Sequence, residues 1–265
     1  MDILKAILLA VVEGVTEFLP ISSTGHMILV EDLFQFDQPA DFAKAFLVII
    51  QLPAILAVVA YFWKEIWPFQ RSEDHFWSTF RLWTRIVAAF IPAAILGFLF
   101  DDYIEEKLFS PTVVAWALIV GGIVLIAIEM IRRRTRVDSV HDLGYATAVC
   151  IGFFQCLAMI PGTSRSAATI IGAMALGASR SAAAEFSFFL AIPTMFGATA
   201  LTVLKHGLSF TPYQWTLLSI GSLVSFLVAY GVVALFMKYI RRHTFIPFGW
   251  YRIALGVIVL WLLWD

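Results

Sequence analysis

The chain has 265 residues, of which 61% are apolar and 14% are charged, and its formal net charge is −1. Soluble globular domains contain about 45–50% apolar and about 25% charged residues, so this composition excludes a water-soluble enzyme and a disordered chain. The near-zero charge provides no general attraction to nucleic acid. Because the apolar segments are long and do not alternate, we expect an all-α polytopic membrane protein.

Six segments are apolar over the roughly 20 residues needed to cross a bilayer. They are residues 42–63, 82–100, 112–131, 182–204, 213–237 and 246–264. Two further apolar stretches, residues 6–34 and 145–178, are interrupted by Pro, Gly and hydroxyl residues. Their arms are too short to span, and irregular backbone at membrane depth requires surrounding protein or a wet cavity. We therefore predict six transmembrane helices plus two re-entrant helix–loop–helix hairpins.

The two interrupted stretches occupy matching positions in the two halves of the chain. Residues 19–24 (LPISST) align with residues 160–165 (IPGTSR). This indicates a single membrane domain, 1–265, built from repeats 1–136 and 137–265, each a hairpin followed by three spans. Because three is odd, the second copy enters the membrane in the opposite orientation. This inverted repeat brings the two hairpin tips together near the midplane.

Cationic residues are concentrated in alternate connections between the predicted spans. They are Lys64, Arg71, Arg81 and Arg85, then Arg132, Arg133, Arg134 and Arg136, then Lys238, Arg241 and Arg242. The positive-inside rule places these connections in the cytoplasm. Both termini and the opening of the first hairpin are then expected on the outer side.

Glu13 and Glu17 lie four residues apart in an apolar run, so they share one face of a helix. Ionisable residues at membrane depth are costly and indicate function. Two adjacent carboxylates favour either a site that binds a divalent cation, Mg²⁺ or Ca²⁺, or an acid/base pair. The alternative is a hydrated helix surface near the membrane interface.

The first break contains Ser22, Ser23, Thr24 and His26. A hydroxyl three residues before an imidazole is a candidate nucleophile with its base. The alternative is that the hydroxyl groups satisfy backbone groups at the hairpin tip and His26 caps a helix.

The second break contains Gly162, Thr163, Ser164, Arg165 and Ser166, with Thr169 further along the same helix. Gly allows close backbone approach, a helix N-terminus attracts anions, and Arg binds phosphate oxygens with two parallel hydrogen bonds. The pattern is typical of a phosphate cradle. The alternative is that Arg165 pairs with a buried carboxylate such as Glu185. Gln51 and Gln155 are polar residues in apolar segments, and we expect them to line the same cavity.

Together, the two breaks supply carboxylates, a nucleophile and an anion clamp, which are the parts of a phosphoryl-transfer site. A site within the membrane implies a lipid phosphate as substrate. A transporter or flippase for an anionic lipid or ion, using the same midplane residues, is the alternative from another class.

Residues 13–26 (EGVTEFLPISSTGH) and residues 161–169 (PGTSRSAAT) closely resemble the two signature regions of the bacterial undecaprenyl-diphosphate phosphatases, the bacitracin-resistance family. The resemblance extends over the whole chain, including residues 185–188 and 245–248. It implies removal of the terminal phosphate from C55 isoprenyl diphosphate, giving inorganic phosphate and the monophosphate carrier used in cell-wall synthesis.

The resemblance also implies the site, the cofactor and the location. The family's site maps onto Glu13, Glu17, Ser23, His26, Ser164 and Arg165, and the activity depends on a divalent cation. With the break residues considered above, the expected substrate contacts are Ser22, Thr24, Gln51, Gly162, Thr163, Ser164, Ser166 and Thr169. The implied location is the bacterial inner membrane, with the cavity open to the periplasmic side. Expected partners are the isoprenyl diphosphate and membrane lipids, with a homodimer as a possible assembly.

Overall fold

A computed structural model of the chain describes residues 2–34, 36, 38–70, 72–131, 135–206 and 209–263. Within these ranges the regular elements are helices and helical turns, apart from one isolated bridge between Val137 and Ala178. The helices are α1 Asp2–Thr16, α2 Ser23–Phe34, α3 Ala40–Ile49, α4 Gln51–Tyr61, α5 Trp63–Ile66, α6 Glu73–Leu108, α7 Pro111–Met130, α8 Tyr145–Cys156, α9 Arg165–Ala175, α10 Arg180–His206, α11 Pro212–Ile240 and α12 Ile246–Leu262. The predicted all-α class is confirmed.

Five of the six predicted spans are long and apolar enough to cross a bilayer, so the chain is a multi-pass membrane protein. They are Ala40–Tyr61, Glu73–Phe100, Pro111–Met130, Arg180–Lys205 and Pro212–Ile240. The segment predicted at 246–264 forms α12, whose 17 described residues end at Leu262. Residue 264 lies outside the described part of the chain.

The helix of the second predicted span extends beyond the apolar segment 82–100. Helix α6 begins at Glu73, with Ser72 at the N-cap position and two acidic residues in its first turn, which the helix dipole favours. Arg81 and Arg85 are therefore helical rather than loop cations. The predicted loop cations Arg71 and Arg132–Arg134 lie outside the described residues.

The first span bends between α3 and α4, at Ile50. Pro53 lies in the first turn of α4 and cannot donate the backbone hydrogen bond that would continue the helix. The carbonyl of Ile50, the residue at the break, accepts a hydrogen bond from the Ser225 hydroxyl at 2.9 Å. This contact satisfies a backbone group that is buried away from water.

Both interrupted stretches are helix–loop–helix units with loops at the predicted breaks. Residues 17–22, the first tip loop, join α1 to α2, and residues 157–164, the second tip loop, join α8 to α9. The four arms have 15, 12, 12 and 11 residues. At about 1.5 Å per residue each is shorter than the roughly 30 Å of bilayer hydrocarbon.

The helices pack in corresponding pairs. Helix α1 packs against α11 and α8 against α6, while α4 packs against α11 and α10 against α6. Helix α7 packs along α12, and glycines allow the close approach: a Cβ added to Gly122 would lie 2.6 Å from the Gly249 carbonyl oxygen. Helices α2 and α9 both contact α7, so the two tip loops lie beside the α7–α12 pair.

Candidate active site

Two serines begin the second helix of each broken stretch in the same way. Ser22 and Ser164 have backbone φ of +72° and +68°. Their hydroxyl oxygens accept hydrogen bonds from the N–H groups of Gly25 and Ala167, at 3.4 and 3.3 Å. Such N-caps satisfy free donors at a helix start. Positive φ is unfavourable for a residue with a Cβ, and this kind of strain is concentrated at functional sites.

The first tip loop contacts the first turn of α9, directly after the second tip loop, through Ser166. Its hydroxyl donates a hydrogen bond to the Leu19 carbonyl at 2.9 Å and lies 3.0 Å from the Ser164 hydroxyl. Ser166 is fully buried. The predicted meeting of the two breaks is therefore present in the structure, and this serine joins them.

The side chain of Arg252, in α12, forms hydrogen bonds with both tip loops. Its guanidinium donates to the Pro20 carbonyl of the first tip loop at 3.4 Å and to the Gly162 carbonyl of the second at 3.2 Å. It also donates to the Ala117 and Leu118 carbonyls of α7, at 3.0 and 3.4 Å. Arg252 is 0% exposed, and its described hydrogen-bond partners are backbone carbonyls. A buried cation with this pattern ties three segments together without neutralising its own charge.

The hydroxyl of Ser23 lies against the carboxylate of Glu17. Ser23 Oγ donates to Glu17 Oε2 at 2.6 Å. The other oxygen of Glu17 accepts from Arg165 Nη2 at 3.5 Å. A second guanidinium nitrogen, Nη1, donates to the Ser187 carbonyl at 3.0 Å. A hydroxyl, a carboxylate and a cation from both tips thus form one chain, and Glu17, rather than Glu185, is the carboxylate that contacts Arg165.

Glu13 lies one helical turn before Glu17 and is almost completely buried. Its carboxylate interacts with Glu17 and, at longer range, with Arg165. Among the described residues, neither Glu13 Oε1 nor Arg165 Nε has a hydrogen-bond partner. A buried carboxylate oxygen without a donor is costly unless a proton or a cation satisfies it.

The imidazole of His26 points to partners other than Ser23. Nδ1 lies 2.7 Å from the Ser22 carbonyl and Nε2 lies 2.7 Å from the Tyr251 hydroxyl, whose ring stacks on the imidazole. Because a carbonyl only accepts, Nδ1 carries the proton and Nε2 accepts from Tyr251. In this arrangement the base adjacent to Ser23 is Glu17, which differs from the Ser23–His26 pair expected from the sequence.

A cavity of about 180 Å³ lies between the tip loops, with α4 and α10 on its other side. The predicted site residues that line it are Glu17, Ser22, Ser23, Thr24, Gln51, Gly162, Ser164 and Arg165. Thr194, Met195 and Ala198 of α10 complete much of the remaining wall. This site cavity holds the Ser23–Glu17–Arg165 chain.

The other predicted site residues lie outside this cavity. Thr169 is buried and donates to the Ser187 hydroxyl at 2.7 Å, so it supports the carbonyl that Arg165 contacts. Thr163 faces a different, apolar groove. Gln155 is buried in α8. Ser166, Thr169 and Thr163, which the sequence predicts as substrate contacts, do not line the site cavity, and the helical turn of α9 directs Ser166 and Thr169 into the protein interior.

Three residues at the site are absent from the sequence-based predictions. Arg252 is a charged residue in an apolar segment, which is a sufficient signal to single it out. Tyr251 and Ser187 carry no such signal, because an aromatic residue and a hydroxyl are ordinary in membrane helices. In the described chain there is no cluster of three or more His, Cys, Asp or Glu residues that could hold a metal ion.

Comparison with known proteins links this geometry to one family. The family model for the bacitracin resistance protein BacA matches residues 6–258. An undecaprenyl-diphosphatase of Fusobacterium nucleatum subsp. nucleatum is 53% identical, over 97% of this chain and 99% of the relative. Undecaprenyl-diphosphatase 1 of Clostridioides difficile is 49% identical, and an undecaprenyl-diphosphatase of Enterococcus faecalis is 50% identical, each over 98% of this chain and 96% of the relative.

Proposed function

The chain belongs to the BacA family of bacitracin resistance proteins, and we propose that the cavity between its tip loops is where it hydrolyses undecaprenyl diphosphate. The products are undecaprenyl phosphate, the recycled lipid carrier of cell-wall synthesis, and inorganic phosphate. The chain is thus a phosphatase embedded in a membrane. The observation that carries the site assignment is the 2.6 Å contact between Ser23 Oγ and Glu17 Oε2, in a cavity that Arg165 also lines.

Arg165 and the start of α9 bind the diphosphate. The Nε of Arg165, which has no described hydrogen-bond partner, and the backbone N–H groups of Arg165 and Ser166 at the start of α9 are donors for phosphate oxygens, and the helix dipole favours an anion there. The positive charge of the buried Arg252, which contacts the Gly162 carbonyl, adds to this potential. Donors that are already oriented stabilise the charge that develops on the equatorial oxygens during phosphoryl transfer.

Ser23 is the nucleophile and Glu17 is its base. Ser23 Oγ attacks the terminal phosphorus while its proton passes to Glu17 Oε2. The bond from phosphorus to the bridging oxygen breaks, and Glu17 passes the proton to that oxygen as undecaprenyl phosphate leaves. Glu17 then takes a proton from the water that attacks the phosphoserine. This proton returns to Ser23 Oγ as inorganic phosphate departs.

His26 orients the first tip loop in this mechanism. It holds the Ser22 carbonyl through Nδ1, next to the nucleophile, and Tyr251 holds the other side of its ring. The close rival is direct attack by water, with Ser23 only positioning that water. Acid quenching with substrate labelled on the terminal phosphate distinguishes the two, because only the first leaves label on Ser23.

Glu13 and Glu17 fit a divalent cation. Glu13 Oε1 has no described hydrogen-bond partner, and a cation between Glu13 and Glu17 would offset the repulsion that opposes ionising both carboxylates. Mg²⁺ sites commonly use one or two carboxylates together with substrate phosphates and water, so this donor set fits Mg²⁺ better than Ca²⁺. When bound, the cation would neutralise charge on the diphosphate oxygens.

The membrane arrangement follows from the same proposal. We assign α12 as the sixth span and the two broken stretches as re-entrant hairpins of an inverted repeat, 1–136 and 137–265, in the bacterial inner membrane with the cavity open outward. The helix pairs support this inverted repeat. Exchanging each first-half helix for its second-half counterpart maps the α1–α11 pair onto α8–α6, the α4–α11 pair onto α10–α6, and the α7–α12 pair onto itself. A cysteine at Glu106 should react with an impermeant reagent from outside, and one at Arg242 only after permeabilisation. A homodimer in the membrane is part of the same proposal, tested by cross-linking.

The decisive experiment is phosphate release from undecaprenyl diphosphate by purified protein, with Mg²⁺ and with EDTA. Ser23→Ala and Glu17→Gln should each lose about 10³-fold in kcat, and Arg165→Lys about 10²-fold, because a point charge cannot replace the planar donor. The matched controls are the exposed Ser219→Ala, Glu106→Gln and Arg242→Lys.

Several outcomes would contradict the proposal. Near-wild-type turnover in Ser23→Ala would show that Ser23 is not the nucleophile. Activity that persists in EDTA would show that the reaction does not require a divalent cation. Transport of labelled lipid without any phosphate release would favour the transporter alternative.

A further inference from the structure

An apolar groove runs along the outer side of α7, and we call it the α7 groove. Its volume is about 470 Å³, and its opposite wall consists of α8, the second tip loop and α9. Trp116, Val120 and Val124 line it from α7, and Phe154, Leu157 and Ile171 line it from the other side. All three of these α7 residues are exposed, and α7 is long and apolar enough to span a membrane.

The α7 groove and the site cavity share one wall, the second tip loop. Leu157, Ile160 and Thr163 of this segment line the groove. Ala158 and Gly162, which alternate with them, line the site cavity together with the adjacent Ser164 and Arg165. A single segment of backbone therefore separates the two spaces. A molecule whose polar end binds at Arg165 would reach the groove with its apolar end by passing over this one segment.

Arg252 connects the two walls of the groove. Its Nη2 donates to the Ala117 carbonyl of α7 and to the Gly162 carbonyl of the tip loop. These bonds fix the distance between the two walls at the level where the groove meets the tip loop. A preformed groove binds a flexible chain without reorganising, which reduces the cost of ordering it.

We propose that the α7 groove binds the isoprenoid chain of the substrate, next to the diphosphate in the site cavity. This inference rests on the proposed function. From Thr112 to Val124 the groove follows about three turns of α7, or roughly 18 Å at 1.5 Å per residue. It holds the first isoprene units of a long chain, and the remainder of the chain lies in the bilayer.

The physical role of the groove is orientation and selection. Bilayer hydrocarbon is as apolar as the groove, so moving the chain from lipid into the groove gains little hydrophobic free energy. Shape complementarity and the tethered diphosphate decide which chain occupies it. Narrowing the groove should therefore raise KM for the long-chain substrate and change kcat little.

Two substitutions on α7 test this directly. Val120 and Ile123 are both 54% exposed, but only Val120 lines the groove. Val120→Trp should raise KM for undecaprenyl diphosphate about tenfold, and less for farnesyl diphosphate, whose chain is about a quarter as long. Ile123→Trp introduces the same side chain at an equally exposed position of α7 that does not line the groove, and it should leave both KM values unchanged. Equal KM values for the two variants would overturn the proposal.

Photolabelling of the wild-type protein provides an independent test. A farnesyl diphosphate analogue with a diazirine near the chain end should label residues within 112–124 or 154–171. Excess undecaprenyl phosphate should prevent the labelling, and excess phospholipid should not. Labelling elsewhere, or labelling that phospholipid displaces, would assign the groove to ordinary membrane lipid. If the wild type releases no phosphate from either diphosphate, the proposed function itself is wrong. If the wild type hydrolyses both and Val120→Trp has unaltered kinetics, only the proposal that the α7 groove binds the isoprenoid chain is wrong.

Discussion

The guanidinium of Arg252 donates a hydrogen bond to the Gly162 carbonyl, 3.2 Å away, and so places a fully buried cation against the second tip loop. The same side chain contacts Pro20 in the other tip loop. The spacing between the two tip loops therefore depends on a residue more than 80 positions away in the chain.

Arg252→Lys should impair catalysis although it retains the positive charge. Lysine presents its donors from a single nitrogen and cannot reach carbonyls in three segments together. The Pro20 or Gly162 carbonyl is then left without a donor, at a cost of about 1–3 kcal/mol. We expect a lower thermal unfolding temperature in detergent and a fall in kcat larger than the change in KM.

Arg252→Met gives the complementary measurement, because it removes the charge as well. If the charge contributes to anion binding, inhibition by inorganic phosphate should weaken in Arg252→Met but persist in Arg252→Lys. Wild-type kinetics and stability in both variants would show that the tip loops hold their spacing without this residue.

Tyr251→Phe should reduce kcat/KM about fivefold, the change expected from losing one hydrogen bond of about 1 kcal/mol. The substitution keeps the ring that stacks on His26 and removes only the donor to Nε2. Steady-state kinetics on undecaprenyl diphosphate checks this, with the exposed Tyr213→Phe as the control. An unchanged kcat/KM would mean that the stacking contact alone orients the imidazole.

Ser164→Ala should destabilise the protein more than Ser164→Gly. Both remove the hydroxyl that caps α9, which is worth about 0.5–2 kcal/mol. Glycine, however, adopts the observed φ of +68° without steric cost, whereas alanine keeps the strain. Thermal unfolding of the two variants measures the difference, and the reverse order would argue against strain at this position.

His141 should make the stability of the protein sensitive to acid. Burial is the main cause that lowers the pKa of His141 from its ordinary value of 6.5, with opposing and smaller effects from its neighbours. Between the lowered pKa and 6.5 the unfolded chain binds more protons, so the free energy of unfolding rises with pH and is lost as pH falls. In unfolding scans from pH 8 to pH 5, His141→Gln should lose less stability than the wild type. The exposed His243→Gln should follow the wild type.

The sequence alone was sufficient for the fold class and for the positions of the tip loops. Long apolar segments require helices in a membrane, and Pro, Gly and hydroxyl residues interrupt them at local positions that need no tertiary information. The helix boundaries were less accurate: α6 begins nine residues before the apolar segment predicted at 82–100, because apolar character marks the membrane-spanning part of a helix and not its polar first turns.

The candidate residues could also be identified from the sequence, since Glu17, Ser23 and Arg165 are polar groups in apolar surroundings. Their partners could not. Ser23 and His26 are separated by about one helical turn, which suggests a pair, yet the strained φ of Ser22 and the stacking of Tyr251 turn the imidazole away.

Composition and local pattern thus determined that this chain is helical, membrane-embedded and equipped for phosphate chemistry, because burial cost and backbone chemistry act on single residues and their neighbours. Only the tertiary structure decided that the Glu17 carboxylate accepts the hydrogen bond of Ser23, that Arg252 joins the two tip loops, and that an apolar groove lies along the second one. These relationships join helices that are distant in sequence, and side-chain direction and packing determine them rather than residue type.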